Sequence, residues 1–298
     1  MQKQKENARL AMQVSRNTIV GNVLLAAIKL LAGIWGKSSA MLSDAIHTLS
    51  DVGSTVIVMV GIRISNKDSD AEHQYGHERL ECVAAILLAV LLGITGIGIG
   101  YGGIQKLLPG NRTSLPVPGV IALIAALLSI LAKEGMYWYT KNAAKKVDSS
   151  ALMADAWHHR SDALSSIGSL LGIGAARMGF PIMDPIASLI ICLLIVKAAY
   201  DIFRDAVSKL TDVACDDETV AAIEALALSQ EGVLGVDSTL TRVFGNRIYV
   251  DIEICADGTL SLFEAHNIAE RVHDTIESAL PSIKHCMVHV NPIKKSSL

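Results

Sequence analysis

Two stretches of this chain carry no charged residue at all, Cys82 to Gln105 and Leu115 to Ala132. At 1.5 Å of rise per residue, either is about long enough to cross a hydrocarbon core roughly 30 Å thick. A core helix of a soluble domain is shorter and amphipathic, so these segments ask for lipid around them. Composition agrees: 51% of the 298 residues are hydrophobic and mean hydropathy is +0.42. Four less pure apolar segments lie at about 17–36, 39–62, 150–176 and 182–203. Asp and His interrupt two of them, which is costly in lipid and therefore points to function. The expected fold class is an α-helical membrane protein with six transmembrane helices. The polar stretch Gln2 to Arg9 shows no short apolar region and cleavage site, so no removable signal peptide is expected.

Loop charge orients the spans. Lys3, Lys5, Arg9, Arg16, Arg63, Lys67, Arg79, Lys133, Lys141, Lys145 and Lys146 are expected on one side, against Lys37, Lys106, Arg112 and Arg177 on the other. The positive-inside rule then puts both termini in the cytosol of a multi-pass cell-membrane protein. Cys82, Cys192, Cys215, Cys255 and Cys286 are scattered with no CxxC pair and read as small buried hydrophobes. Gly96, Gly98, Gly100, Gly102 and Gly103 sit in a uniformly apolar span with no preceding strand. That context rules out a nucleotide loop and favours close helix packing.

Composition changes near Phe203. From Leu210 onward there are fourteen Asp and Glu against six Lys and Arg, a net charge of −8 with His neutral. The expected organisation is a six-helix transmembrane domain over 1–209 and a separate soluble domain over 210–298; the family resemblance given below implies transport for the first and a cytosolic regulatory and dimerisation role for the second. In the latter, Asp217 to Ser229 reads as a helix, and Val236 to Phe244 and Ile248 to Ile254 as a hairpin around Gly245-Asn246. Ser261 with Glu264 has capping-box spacing, and Cys286 to Val290 is a short last strand. The result is a small α+β sheet covered by two helices, in the order αββαβ.

An internal repeat carries the chemistry. Asp44-Ala-Ile-His47-Thr-Leu-Ser-Asp51 in the second span and Asp155-Ala-Trp-His158-His159-Arg-Ser-Asp162 in the fifth share the pattern D-A-x-H-x-x-S-D. Offsets of three and four fall on one helical face. If the two stripes face each other, His47, Asp51, His158 and Asp162 offer two imidazoles and two carboxylates around one point. That set suits tetrahedral Zn²⁺, fits Co²⁺, Fe²⁺ or Cd²⁺ less distinctively, and fits Mg²⁺ or Ca²⁺ poorly. The bland alternative, hydrogen bonding between helices, accounts for one Asp-His pair more easily than for two copies of an eight-residue pattern. His159 points about 100° away from His158 and is expected behind the ligands, as are Asp44 and Asp155.

With these motifs in view, the chain resembles the cation diffusion facilitator family from about Arg9 to Pro292. The resemblance rests on His47-xxx-Asp51, His158-xxx-Asp162, the run His73-Gln-Tyr-Gly-His77-Glu-Arg79-Leu-Glu81 and the type of carboxy-terminal domain. It implies a homodimer that exports metal from the cytosol against protons, with a ferredoxin-like cytosolic domain. The His-Asp pair on each helix is similar to the zinc-preferring subgroup, with Fe²⁺, Co²⁺ or Cd²⁺ as alternative cargo. In related transporters the loop holding Asp70, His73 and His77 can bind a second metal; here these residues alternatively only orient the loop. Glu81 is expected to make a packing hydrogen bond. The resemblance also assigns interfacial regulatory metal to Asp237, Asp251, His266 and His289, with Asn291 where a carboxylate can occur. His273 and His285 fall outside that pattern and read as surface histidines. The acidic domain either recruits divalent cations between two copies or merely aids solubility.

No prosthetic group is expected; Zn²⁺ is the substrate and a possible regulatory ligand. The partners are a second copy, metal ions, protons and the bilayer, with no nucleic acid. No HExxH pair or nucleophile elbow is present, so no enzymatic activity is expected. A non-transporting membrane metal sensor is the alternative from another class.

Overall fold

The computed structural model describes residues 2–35, 39–107, 120–177, 183–245 and 247–293; the side chains of some helix-end residues, and those of Asp44 and His47, lie outside this description. The chain divides into two compact units, Met1–Val207 and Ser208–Leu298. The first holds six long helices: α1 (Gln2–Trp35), α2 (Ser39–Ser65), α3 (Arg79–Leu107), α4 (Val120–Val147), α5 (Ser150–Arg177) and α6 (Met183–Leu210), whose last turn passes the unit boundary. The apolar run from Leu115 lies outside the described residues as far as 119, as does Asn246 of the expected turn.

Two helices exceed the apolar segments that announced them. α1 starts at Gln2 because Gln, Lys, Glu and Arg are good helix formers, so its polar first turns continue the apolar span. α4 runs past Ala132 to Val147 for the same reason. Among the described residues, Glu6–Trp35 and Arg79–Gln105 are long and apolar enough on their own to cross a membrane. The bundle also turns large apolar side chains outward, with Leu24, Ile94, Leu131 and Leu193 each 60–71% exposed. A surface of that kind fits lipid better than water.

Inside the bundle, α1 packs on α2 and α4, and α5 packs on α3 and α4 while touching α2. Two glycines let α3 meet α6 closely. A Cβ at Gly96 would stand 2.8 Å from Ile195 Cγ2, and one at Gly100 2.5 Å from Cys192 Sγ. These glycines are four apart and share a face, which is the small-residue seam expected of membrane helices. The α4–α5 corner is tight. Asp148 takes a left-handed φ of 51°, and Ser149 Oγ accepts from the Leu152 amide to start α5.

The second unit reads α7 (Asp217–Leu228), β1 (Gly235–Phe244), β2 (Arg247–Asp257), α8 (Leu262–Ala279) and β3 (Ile283–Ile293), the expected ferredoxin-like αββαβ order. β1 and β2 form an antiparallel hairpin through Gly245, whose φ is 57°, and β3 adds parallel to β2. Val250, Ile252, Ile254 and Ala256 alternate onto one face, against Ile223 and Ala227 of α7 and Ile268, Val272 and Ile276 of α8. Ser261 and Glu264 close a complete capping box at the start of α8. β3 extends beyond the expected Cys286–Val290 at both ends, pairing regularly with β2 to Ile293 and breaking its alternation near Ile283. Ile283 and Cys286 are both buried three residues apart, and the register with β2 shifts at Lys284.

Candidate metal centres

Asp51 on α2 meets His158 and Asp162 on α5, one ligand atom from each lying within 4.8 Å of the others. His158 Nε2 stands 3.4 Å from Asp51 Oδ1, and neither ring nitrogen of His158 has a hydrogen-bond partner. All three groups are almost wholly removed from solvent. His47 lies one turn before Asp51 on α2, and its side chain is outside the described residues. Two carboxylates in so dry a place need a cation.

The cation within this unit is one that the sequence reading assigned to a loop. Lys133 lies inside α4, 2% exposed, with its Nζ 2.5 Å from Asp51 Oδ2 and 2.8 Å from Asp162 Oδ2. Its place at the end of an apolar run suggested a helix boundary. In fact α4 continues for almost four more turns and carries Lys133 against α5. Lys133 is therefore no orienting loop charge.

Behind this group, a hydrogen bond ties the two helices together. Thr55 Oγ1 of α2 donates to Asp155 Oδ1 of α5 at 3.0 Å, tying the helices together one turn from Asp51. His159 is fully buried, with Nε2 3.6 Å from Asp155 Oδ2. His159 and Asp155 thus face each other, and neither joins the converging group around Asp51. A second tie binds α4 to α5: Arg160 pairs with Glu134 at 2.9 Å and lies over the Tyr137 ring.

The cation efflux transmembrane domain family matches residues 17–211, about two thirds of the chain. The chain belongs to the cation diffusion facilitator family of metal transporters. The cation efflux protein cytoplasmic domain matches residues 215–293 of the same chain. An uncharacterized transporter of Methanocaldococcus jannaschii is 36% identical, covering 92% of this chain and 95% of that one. Metal tolerance protein C1 of Arabidopsis thaliana is 32% identical over 94% of this chain and 62% of its own length. Manganese efflux system protein MneP of Bacillus subtilis is 29% identical over 96% of this chain and 98% of that one. Among solved structures, MamM CTD matches 26% of this chain and 98% of its own at 25% identity, with a TM-score of 0.26. The protein is thus a cation diffusion facilitator with a membrane-embedded helical domain.

This facilitator's loop between α2 and α3 brings Asp70, His73 and His77 together. His73 Nδ1 lies 3.5 Å from Asp70 Oδ1, and His77 Nε2 lies 3.4 Å from Asp70 Oδ2. Asp70 Oδ1 also accepts from the amides of Glu72 and His73, which winds the loop around its own carboxylate. Lys67 donates to Asp70 Oδ2 at 2.6 Å and, with these backbone bonds, holds the carboxyl well below the usual carboxylate range. His77 is 5% exposed and its Nδ1 has no hydrogen-bond partner. Glu81 lies buried in the first turn of α3.

In the carboxy-terminal domain, Asp237, Asp251, His266 and His289 supply no converging group of three among the described residues of one chain. Asp237 accepts from Asn291 at 2.7 Å, Asp251 faces Arg242 at 3.5 Å, and His266 faces Glu270 at 3.5 Å on α8. His289 pairs in register with Glu253. Glu253 escaped the sequence reading, yet it accepts from the same Asn291 amide at 3.1 Å, so Asn291 bridges two carboxylates. Strand alternation could have signalled it, since Asp251 and Glu253 share a face of β2.

Proposed function

We propose that this facilitator exports Zn²⁺ from the cytosol in exchange for protons, through a site built by His47, Asp51, His158 and Asp162. The observation that carries the reading is the convergence of Asp51, His158 and Asp162 from two helices at a buried point. Two imidazoles with two carboxylates suit Zn²⁺, whereas an oxygen-rich shell suits Mn²⁺, the metal for which the relative MneP is named. The alternative is an exporter of the same type that carries Fe²⁺, Co²⁺ or Cd²⁺. Both termini face the cytosol and the working unit is a homodimer, a reading supported by the loop charges and the cytoplasmic-domain match.

Lys133 neutralises the two carboxylates of the site. Its ammonium bridges Asp51 and Asp162, so an arriving ion competes with it for both carboxylates. Coordination needs deprotonated ligands, so loading releases protons and protonation from the far side releases the ion. Asp70, His73 and His77 form a second metal site in the cytosolic loop. There an ion has to displace Lys67 from Asp70. Asp237, Asp251, His266 and His289 take part in regulatory binding only when a second copy supplies further ligands.

Purified protein in vesicles loaded with a pH-sensitive dye tests the exchange. Added Zn²⁺ is expected to move protons in the opposite direction, with Mn²⁺ giving a smaller response at equal concentration. Zn²⁺ crossing with no pH change would contradict antiport, and a preference for Mn²⁺ would contradict the assigned cargo.

A further inference from the structure

The two histidines that match no family pattern end up side by side. His273 and Glu277 are one turn apart on α8, and His285 belongs to β3. Their rings approach to 5.6 Å between centroids. Glu277 Oε1 lies 3.3 Å from His273 Nε2 and 3.4 Å from His285 Nδ1, and all three ligand atoms lie within 4.8 Å of one another. We propose that His273, Glu277 and His285 form a divalent transition-metal site inside each carboxy-terminal domain, suited to Zn²⁺ or Co²⁺ and open at its fourth position.

Three features carry this beyond a chance surface cluster. The first is size. Bonds of about 2.0–2.1 Å in a tetrahedron give ligand-to-ligand edges of about 3.3–3.4 Å, the separations found on both sides of Glu277. The second is orientation. His273 Nδ1 lies 2.6 Å from the Cys286 carbonyl, so it donates there and leaves Nε2 facing Glu277. Nε2 in its lone-pair form is repelled by the carboxylate unless a metal ion lies between them, and a proton on Nε2 is what such an ion would replace. Glu277 is fixed as well, because Oε1 accepts from the Cys286 amide at 3.0 Å. The third is the bulge at Lys284, which breaks the alternation of β3 and leaves His285 exposed directly before buried Cys286. Bulges re-aim side chains in this way.

Two imidazoles and one carboxylate with an open position match the donor set of three-ligand Zn²⁺ sites. The ion would brace the end of α8 to the start of β3 across the Pro281 turn, within one copy of the chain. It needs no second copy, unlike the interfacial ligands. The inference stands on this domain's geometry whether or not the helical site carries the cargo.

The test uses the full chain in detergent with Asp51→Ala, Asp162→Ala, Asp70→Ala, Asp237→Ala and Asp251→Ala, which remove carboxylates from the other candidate centres. Zn²⁺ bound per chain is counted by equilibrium dialysis, and Co²⁺ alone supplies a ligand-field absorption band. His285→Ala is expected to bind one ion fewer and to lose the tetrahedral Co²⁺ band, while melting as its parent does in chelator. Glu277→Gln, which keeps an acceptor for the Cys286 amide, is expected to do the same. Unchanged stoichiometry and band in both variants would overturn the site, as would a parent protein that binds no ion outside the silenced centres.

Discussion

Asp51 is shared by two partners, the ammonium of Lys133 at 2.5 Å and the ring of His158 at 3.4 Å, and Asp162 leans on the same ammonium. On the proposed function, an ion entering this site has to compete with a cation already tethered there. Lys133→Ala is therefore expected to tighten Zn²⁺ binding by about tenfold or more, equivalent to about 1.4 kcal/mol, while slowing turnover because release becomes harder. Removing one partner from a buried ion pair costs roughly 3–5 kcal/mol, so the same variant should melt lower without metal and recover with it. Calorimetric titration and melting in detergent check both; weaker Zn²⁺ binding would contradict a displaced counterion. The aspartates and His158 were legible because they repeat with helical spacing in two segments. Lys133 was not, since a single lysine after an apolar run has no periodicity to separate a helix interior from a boundary. Glu277 was hidden for another reason: its partner His285 is brought to it by a strand irregularity.

Helix contacts set what each element can tolerate. The α3–α6 seam leaves no room for a side chain at Gly96, where a Cβ would meet Ile195 at 2.8 Å. Gly96→Leu is expected to force the helices apart at a cost of about 1–3 kcal/mol, seen as a lower melting temperature, whereas Gly98→Leu, with open space at its Cβ, should be tolerated. Equal losses at both positions would contradict the seam. In the carboxy-terminal domain, burial between α8 and β3 pushes the Cys286 thiol up from 9.0 to about 12, with Glu277 adding to the effect. The folded state thus favours the neutral thiol. Its contribution is complete below the ordinary thiol value and is lost as pH rises toward 12. Denaturant melts should show stability falling above about pH 9 in the native protein and less so in Cys286→Ala. Element order was readable throughout this domain, because the capping box at Ser261, the glycine turn and the alternation of β2 are local signals. The length of β3 was not, because it depends on the pairing with β2.

At the scale of the molecule, charge and hydropathy divide the labour. An apolar helical unit holds polar groups inside, and an acidic α+β unit carries further His and carboxylate groups. Six helices and a small domain could be read from composition, since lipid demands long uncharged runs and the acidic tail breaks sharply from them. The register of α4 against α5 could not, because it is set by tertiary contacts such as Arg160–Glu134 and Lys133–Asp162. The central claim is that the cargo passes through the α2–α5 site rather than the loop site. The measurement that tests it most directly is Zn²⁺ uptake into proteoliposomes by the wild-type protein, Asp51→Ala, Asp162→Ala and Asp70→Ala in parallel. The account predicts that either helical substitution abolishes uptake while Asp70→Ala keeps at least a substantial part of it; uptake that survives both Asp51→Ala and Asp162→Ala would contradict it.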